Sequence, residues 1–256
     1  MFSSNYLSIL TIVRWKRKLS NKSALILLLI GIIATIPTLA NSGGMITQVS
    51  HREVFPKGAY DGYVSLDQLL SYGNFGIGTF HTLDGEMILL DGKICQVKHD
   101  GKVYYPPLST KTFYALVGNF KERAKINIDK GINMAGFEKI LSSSTLDKDL
   151  FGAIKMKGRF TNIKLRSVPA QIKPYRPLSE VLKTQVIFDL ENVSGTVVGF
   201  WTPDSMKGVS PPGYHFHFIT EDFSSGGHIL EFTPATETAA EMDTFNRFHL
   251  ILSERD

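Results

Sequence analysis

The sequence has a single cysteine, Cys95, so no intramolecular disulfide can form. A lone cysteine outside any motif is usually a small packing residue, and we predict that role for Cys95. The lack of a Cys-x-x-Cys pair argues against a structural zinc site, because such sites are rich in cysteine. With 11 prolines and 22 glycines in 256 residues, the composition excludes a collagen-like or a disordered chain.

The body of the chain lacks an excess of charge of either sign. Five of the 28 basic residues stand within residues 1–40, where there is no acidic residue, and this leaves 23 basic against 24 acidic residues. A nearly neutral body lacks the excess of basic residues that is typical of nucleic-acid-binding proteins. The length is sufficient for a large hydrophobic core in one large or two modest domains.

The basic residues of the N-terminus precede an apolar run. A cluster from Arg14 to Lys18 is followed by the apolar residues 24–40, which end in Thr38-Leu39-Ala40. This order is typical of a signal peptide, and we predict cleavage after Ala40. The alternative is an uncleaved membrane anchor formed by residues 24–40, which are at the lower limit of a spanning length. Both interpretations place the body outside the cytoplasm, secreted or periplasmic.

The body predicts an α+β fold of mixed, mainly antiparallel β-sheet with a few short helices. Residues 41–60 resemble a polar lead-in, and helices are predicted from Ser65 and near Asn133. Asp91-Gly92 predicts a tight hairpin between strands at 86–90 and 93–97. Further strands are predicted at 112–120, 150–154, 160–168, 195–201, 214–219 and 228–232.

Proline divides this body into two predicted lobes. The segment 169–178 contains three prolines and cannot lie inside a sheet, so we interpret it as a linker. The N-terminal lobe is then 41–168, and the C-terminal lobe is 179–256. A second short helix is predicted to begin at Ser179.

Three histidines near the end of the chain have the spacing of a metal site. His215 and His217 lie two apart in a predicted strand and so point to the same face. His228 opens the returning strand after a turn rich in Asp, Ser and Gly. Three nitrogen ligands leave a coordination position open, which is typical of a catalytic rather than a structural zinc site. The remaining histidines are isolated in the sequence, and we predict no metal role for them: His51, His81, His99 and His249.

Two further residues could act beside a metal. Arg166, in a predicted strand, could hold a substrate carboxylate with two hydrogen bonds, but a surface ion pair explains it equally well, and Arg176 is a weaker rival. Glu86 could transfer a proton, although a solvent-facing glutamate beside a hairpin is the more common case.

Two other classes of protein share parts of this pattern. In a cupin-type β-barrel, Glu221 would be a fourth ligand beside His215, His217 and His228. The second alternative is an exported metal-binding protein that is not an enzyme.

Five sequence motifs in register resemble the α-acetolactate decarboxylase family. The resemblance runs from about Gly58 to Phe232 and is carried by Thr79-Phe80-x-x-Leu83-Asp-Gly-Glu86, Arg166-Ser-Val-Pro-Ala-Gln171, Gly195-Thr-x-Val-Gly-Phe200, Gly213-Tyr-His-Phe-His-Phe218 and Gly226-Gly-His228.

The resemblance implies a function and a set of site residues. It implies two lobes with a Zn²⁺ ion between them, a homodimer, and conversion of 2-acetolactate to acetoin and CO₂ without an organic cofactor. The zinc ligands fall on His215, His217 and His228, and the catalytic residues on Glu86 and Arg166. Family members extend roughly twenty residues further and contribute a glutamate from that tail. Glu254 could replace it only if the end of the chain folds back, which we do not expect, so we predict a site that is slow or altered in product stereochemistry.

Overall fold

A large mixed β-sheet dominates the computed structural model, which describes residues 44–144 and 147–253. The described strands are β1 (Gly44–Val49), β2 (Val64–Ser65), β3 (Phe75–Gly78), β4 (Glu86–Leu90), β5 (Lys93–Val97), β6 (Val103–Tyr104), β7 (Lys111–Thr112), β8 (Ala115–Gly118), β9 (Ala124–Ile128), β10 (Phe151–Ser167), β11 (Val186–Thr202), β12 (Gly213–Thr220), β13 (Gly226–Pro234) and β14 (Thr238–Ile251). The α-helices are α1 (Val54–Lys57), α2 (Leu66–Leu70), α3 (Met134–Ser142) and α4 (Leu178–Val181).

Twelve of these strands belong to one sheet. Its order is β11-β12-β13-β10-β14-β1-β8-β3-β4-β5-β6, with β9 paired to β14, while β2 and β7 form a separate pair. Among the described strands, only β1 and β14 pair in parallel, and the other pairings are antiparallel. This architecture confirms the predicted α+β class of mixed, mainly antiparallel sheet.

The long strand β10 joins two parts of the sheet. Its first half pairs with β14, its second half pairs with β13, and its whole length pairs with β11. Because β11 also pairs with β12, and β12 with β13, the strands β10 to β13 close into a ring. The ring places the predicted histidine hairpin beside the strand that carries Arg166.

Local sequence signals explain the short elements. Ser65 caps α2 by accepting a hydrogen bond from the Gln68 N–H, and Asn133 caps α3 in the same way through Gly136. Asp91 and Gly92 both have positive φ, at 51° and 81°, which is the backbone of a two-residue hairpin turn. These predicted elements are confirmed.

Several strands differ from the predictions. Residues 44–49, interpreted as part of a polar lead-in, form the buried central strand β1. The strands predicted at 150–154 and 160–168 are one continuous strand, β10, and the stretch 112–120 contains two short strands. The last strand, β14, was not predicted. Strands β1 and β14 depend on pairing between the two ends of the chain, which no local pattern reports.

Aromatic side chains fill the space between the ring of strands and α3. Phe137 of α3 contacts Phe216 and Phe232, with ring centroids 5.5 and 5.2 Å apart. Phe216 and Phe218 are buried on one face of β12, and the period of two directs His215 and His217 to the other face. The core therefore fixes the orientation of the histidine face.

The described residues of the two predicted lobes and of the segment between them belong to one compact unit, and residues 169–177 contain no strand. The boundaries 41–168, 169–178 and 179–256 remain predictions. The predicted signal peptide at 1–40 and Glu254 lie outside the described residues. Within 44–144 and 147–253, no helix is long and apolar enough to span a bilayer.

Candidate metal centre and active site

The hairpin of β12 and β13 is set in register by its turn. The N–H groups of Ser224 and Ser225 donate to Thr220 Oγ1, and Ser224 N–H and Oγ–H donate to Asp222 Oδ1. Hydrogen bonds from Thr220 and Ser224 lower the pKa of Asp222 to about 2, so the carboxylate stays ionised. With this turn, His217 pairs directly with His228 across the hairpin.

The hairpin brings three imidazole rings together. His215 Nε2 lies 3.0 Å from His228 Nδ1 and 3.1 Å from His217 Nε2. One nitrogen from each ring falls within 4.8 Å of the others. The far nitrogen of His217, Nδ1, donates to the Met87 carbonyl oxygen at 2.9 Å, which leaves Nε2 with a free lone pair. The sequence predicted that the hairpin brings these three rings together, and the structure confirms this prediction.

The surroundings keep all three rings neutral. Burial, together with the nearby Arg166 guanidinium, lowers the pKa of His215 to about 4. Burial also holds the pKa values of His217 and His228 well below 6.5, assisted by His215 for the former and by Arg166 for the latter. Neutral imidazoles are the form that binds a metal ion.

The donor set fits a divalent cation. His215 Nε2 faces two ring nitrogens at hydrogen-bond distance, but it can serve only one of them with a well-aligned hydrogen bond. A shared cation would satisfy all three lone pairs. Two nitrogens on one tetrahedral zinc, at about 2.0–2.1 Å each, would lie about 3.3 Å apart, close to the two distances found here.

Glu86 and Arg166 lie beside the histidines. Glu86 begins β4, and Arg166 pairs with His228 in the register of β10 and β13. Arg166 Nη1 donates to Glu86 Oε1 at 3.3 Å, and Glu86 Oε2 is 3.5 Å from His217 Nε2. Burial raises the pKa of Glu86 to about 7, against the opposing effect of Arg166. The predicted solvent-facing alternative for Glu86 is wrong, since this residue is only 6% exposed.

A cavity of about 260 Å³ opens onto these side chains. Its polar end is formed by Glu86, Arg166, His215 and His228. The rest of the lining is mainly apolar and consists of Phe55, Gly78, Thr79, Leu83, Tyr114, Val168, Leu178, Pro211, Pro212 and Tyr214. Such a site can bind a small polar group at the histidines and bury alkyl groups at the other end.

Other candidate residues lie elsewhere. Glu221, the fourth ligand in a cupin-type site, pairs with Lys157 at 2.8 Å and is not part of the histidine group. Arg176 donates to Gln171 Oε1 at 3.3 Å and does not line the cavity. Cys95 is buried and free, as expected for a packing residue.

Several lining residues were not singled out from the sequence as site residues. Phe55, Tyr114 and Leu178 come from three separate segments, and their spacing carries no signal. The pair Pro211-Pro212 directly precedes the histidine strand, and its position next to His215 could have suggested a role. The Met87 carbonyl that orients His217 is a backbone group, so no residue type reveals it.

The sequence is similar to those of several proteins of one family. The family model for alpha-acetolactate decarboxylase matches residues 46–256. A protein of that name from Methanosarcina mazei is 42% identical over 197 residues, covering 77% of this chain and 68% of the relative. Another from Methylococcus capsulatus is 37% identical over 198 residues, covering 77% and 76%.

A solved structure shares the fold. The crystal structure of alpha-acetolactate decarboxylase from Bacillus subtilis strain 168 aligns with a TM-score of 0.79 at 36% identity, covering 82% of this chain and 90% of that one. Together with the family model, these similarities show that the chain belongs to the alpha-acetolactate decarboxylase family, whose members are carboxy-lyases.

Proposed function

We propose that this protein is a zinc-dependent decarboxylase that converts 2-acetolactate to acetoin and CO₂. The observation that carries the proposal is the meeting of three neutral imidazoles, a carboxyl group and a guanidinium, four of which (His215, His228, Glu86 and Arg166) line an otherwise mainly apolar cavity. Membership of the family supports the reaction class, and the donor set supports the metal.

His215, His217 and His228 would hold the ion. When bound, Zn²⁺ supplies a Lewis acid that accepts electron density from the substrate oxygens as CO₂ leaves. Three protein ligands leave room for substrate oxygens, as catalytic zinc sites require. The hydrogen bond from His217 Nδ1 to the Met87 carbonyl fixes the ring and would leave the Nε2 lone pair free to hold the ion.

Arg166 orients the substrate through its carboxylate. Its side chain is 15% exposed, and only one of its N–H groups is engaged by Glu86 in this structure. The remaining N–H groups of the guanidinium can form a two-armed contact with the carboxylate that will leave as CO₂.

Glu86 supplies the proton. Breaking the bond between C2 and the carboxylate leaves an electron pair on the substrate and releases CO₂. Transfer of the Glu86 proton to C2 then forms the new C–H bond of acetoin. The Glu86 carboxylate regains its proton from solvent. Burial raises the pKa of Glu86, which makes this carboxyl a better proton carrier near neutral pH than an exposed glutamate.

The apolar lining positions the rest of the substrate. 2-Acetolactate carries two methyl groups, and the side chains of Leu83, Val168 and the two prolines offer surfaces for them. Contact with these surfaces displaces water from the reacting carbon, which strengthens the electrostatic interactions at the polar end.

The metal and the activity can be tested together. Metal content and acetoin production should be measured for the wild type, for His217→Ala, and for His99→Ala as a control at an exposed and isolated histidine. We expect His217→Ala to lose bound zinc and turnover while His99→Ala keeps both. Chelator should abolish turnover, and added zinc should restore it. Zinc-loaded wild type without turnover would instead support the alternative of a binding protein.

Export and dimer formation are proposed on other grounds. The order of basic and apolar residues in 1–40 supports a signal peptide, and the family resemblance supports a homodimer. Mass spectrometry of protein from the native envelope or medium should find an N-terminus at Asn41, whereas an intact N-terminus would favour an anchor. Light scattering of the purified protein should give twice the mass of one chain.

A further inference from the structure

Two prolines form one wall of the cavity. Pro211 and Pro212, here called the proline wall, precede β12 and line the cavity close to His215. They follow a short turn at Asp204–Met206 and belong to no strand. Because proline has no N–H group, neither residue can anchor the wall by donating a backbone hydrogen bond.

The anchor of this wall lies a few residues upstream. The Val209 carbonyl oxygen accepts two hydrogen bonds, from Arg52 N–H at 2.8 Å and from Gln48 Nε2 at 3.1 Å. The Lys207 carbonyl oxygen accepts a third, from Arg52 Nη1 at 3.1 Å. The segment before the proline wall is therefore tied to the end of β1 and the residues after it.

Gln48 is an unusual residue for its position. It is fully buried on β1 and shares a face of the strand with Ile46, which packs in an apolar cluster with Phe75 and Phe200. Its Nε2 donates to the Ser50 and Val209 carbonyl oxygens, but within the described residues its Oε1 has no hydrogen-bond partner. A buried amide with an unsatisfied oxygen is unfavourable unless its other contacts compensate.

We infer that Gln48 is a positioning residue that holds the proline wall and thereby limits the size of the alkyl group on the reacting carbon. This inference rests on the proposed function for the identity of the substrate. A wall held at fixed distance from His215 rejects a longer alkyl group by contact, whereas a wall that can move back accepts it. Gln48 acts through Val209 and does not itself touch the substrate.

The test compares Gln48→Met with Thr47→Val. Methionine keeps the volume of the side chain but removes both Nε2 hydrogen bonds. Thr47 is the adjacent residue on β1 and is also fully buried, but its hydroxyl contacts His249 rather than the segment before the proline wall. Two substrates are used, 2-acetolactate and its homologue with ethyl in place of the C2 methyl group. Hydrogen exchange of the peptide covering residues 204–213 is measured in parallel.

We expect Gln48→Met to raise the ratio of kcat/KM for the ethyl over the methyl substrate at least about threefold, as a small part of the 10–200-fold that one methylene can be worth. Exchange in 204–213 should become faster. Thr47→Val should change neither. If Gln48→Met does not fold, Arg52→Met removes the bond to Lys207 from a partly exposed side chain and should shift both readouts in the same direction.

An unchanged substrate ratio would overturn the inference, whether or not exchange becomes faster. The inference would also fail if Thr47→Val shifted the substrate ratio as much as Gln48→Met does. If the wild type converts neither substrate, the proposed function fails. Hydrogen exchange would then still test whether Gln48 holds the segment 204–213 in place. Unchanged exchange in Gln48→Met would refute that part of the inference.

Discussion

Replacing Arg166 by lysine tests how the site holds the substrate. Arg166 Nη1 donates to Glu86 Oε1 at 3.3 Å, and the other N–H groups of the guanidinium are available for a carboxylate. Lysine keeps the positive charge but has a single ammonium group, which cannot contact Glu86 and present two aligned donors to the substrate at once. The substitution therefore removes hydrogen bonds without removing the charge.

The size of the effect follows from the number of hydrogen bonds lost. One hydrogen bond to a charged group is worth about 1.5–3 kcal/mol, which corresponds to about a tenfold to hundredfold loss in kcat/KM. The carboxylate is bound in the ground state and leaves as neutral CO₂, so most of the loss should appear as a higher KM and less of it as a lower kcat.

Steady-state acetoin formation gives both constants for Arg166→Lys, with zinc content and Tm measured on the same samples. Arg159→Lys is the control, because Arg159 lies on the same strand but is exposed. Wild-type KM in Arg166→Lys would refute the assigned contact with the carboxylate. A fall in kcat at unchanged KM would show that Arg166 acts on the transition state instead.

Three further substitutions test other parts of the structure. Glu86→Gln should lower kcat by about 10²–10⁴-fold while zinc content stays constant, because glutamine cannot donate a transferable proton, and wild-type kcat would exclude Glu86 as the proton donor. Gly199→Ala should weaken zinc binding by about 10–100-fold in a competition titration, because its Cβ would overlap the Phe216 ring and the His215 carbonyl oxygen and push β12 away. Gly208→Ala, which has open space around its Cβ, should bind zinc normally, and equal affinities in the two variants would contradict this reasoning. Ser65→Ala removes the cap of α2 and should lower the free energy of unfolding by about 1 kcal/mol in urea titrations. An unchanged midpoint of the urea unfolding transition would contradict this prediction.

Local elements could be predicted because their signals are local. The caps at Ser65 and Asn133 act on N–H groups three residues away, and Asp91-Gly92 supplies the positive φ values that its hairpin turn needs. The histidine hairpin belongs to the same class, because a period of two places His215 and His217 on one face and the turn returns the chain to His228.

The sheet as a whole could not be predicted from local patterns. β1 is polar in part, with Thr47 and Gln48 fully buried, and its identity as a strand depends on parallel pairing with β14 near the other end of the chain. The two sections predicted for β10 are one strand because β11, β13 and β14 pair along it. Such pairings depend on partners that are distant in the sequence, which propensity does not encode.

The sequence by itself determined the metal-binding pattern, the family and the helices capped by Ser65 and Asn133, because each depends on residue types at short, fixed spacings. Only the tertiary structure decided that Glu86 is buried beside Arg166 and His217, that a backbone carbonyl orients His217, and that Gln48 reaches the segment before the proline wall. These contacts join segments separated by many residues, and they exist only once the long-range strand pairs have formed.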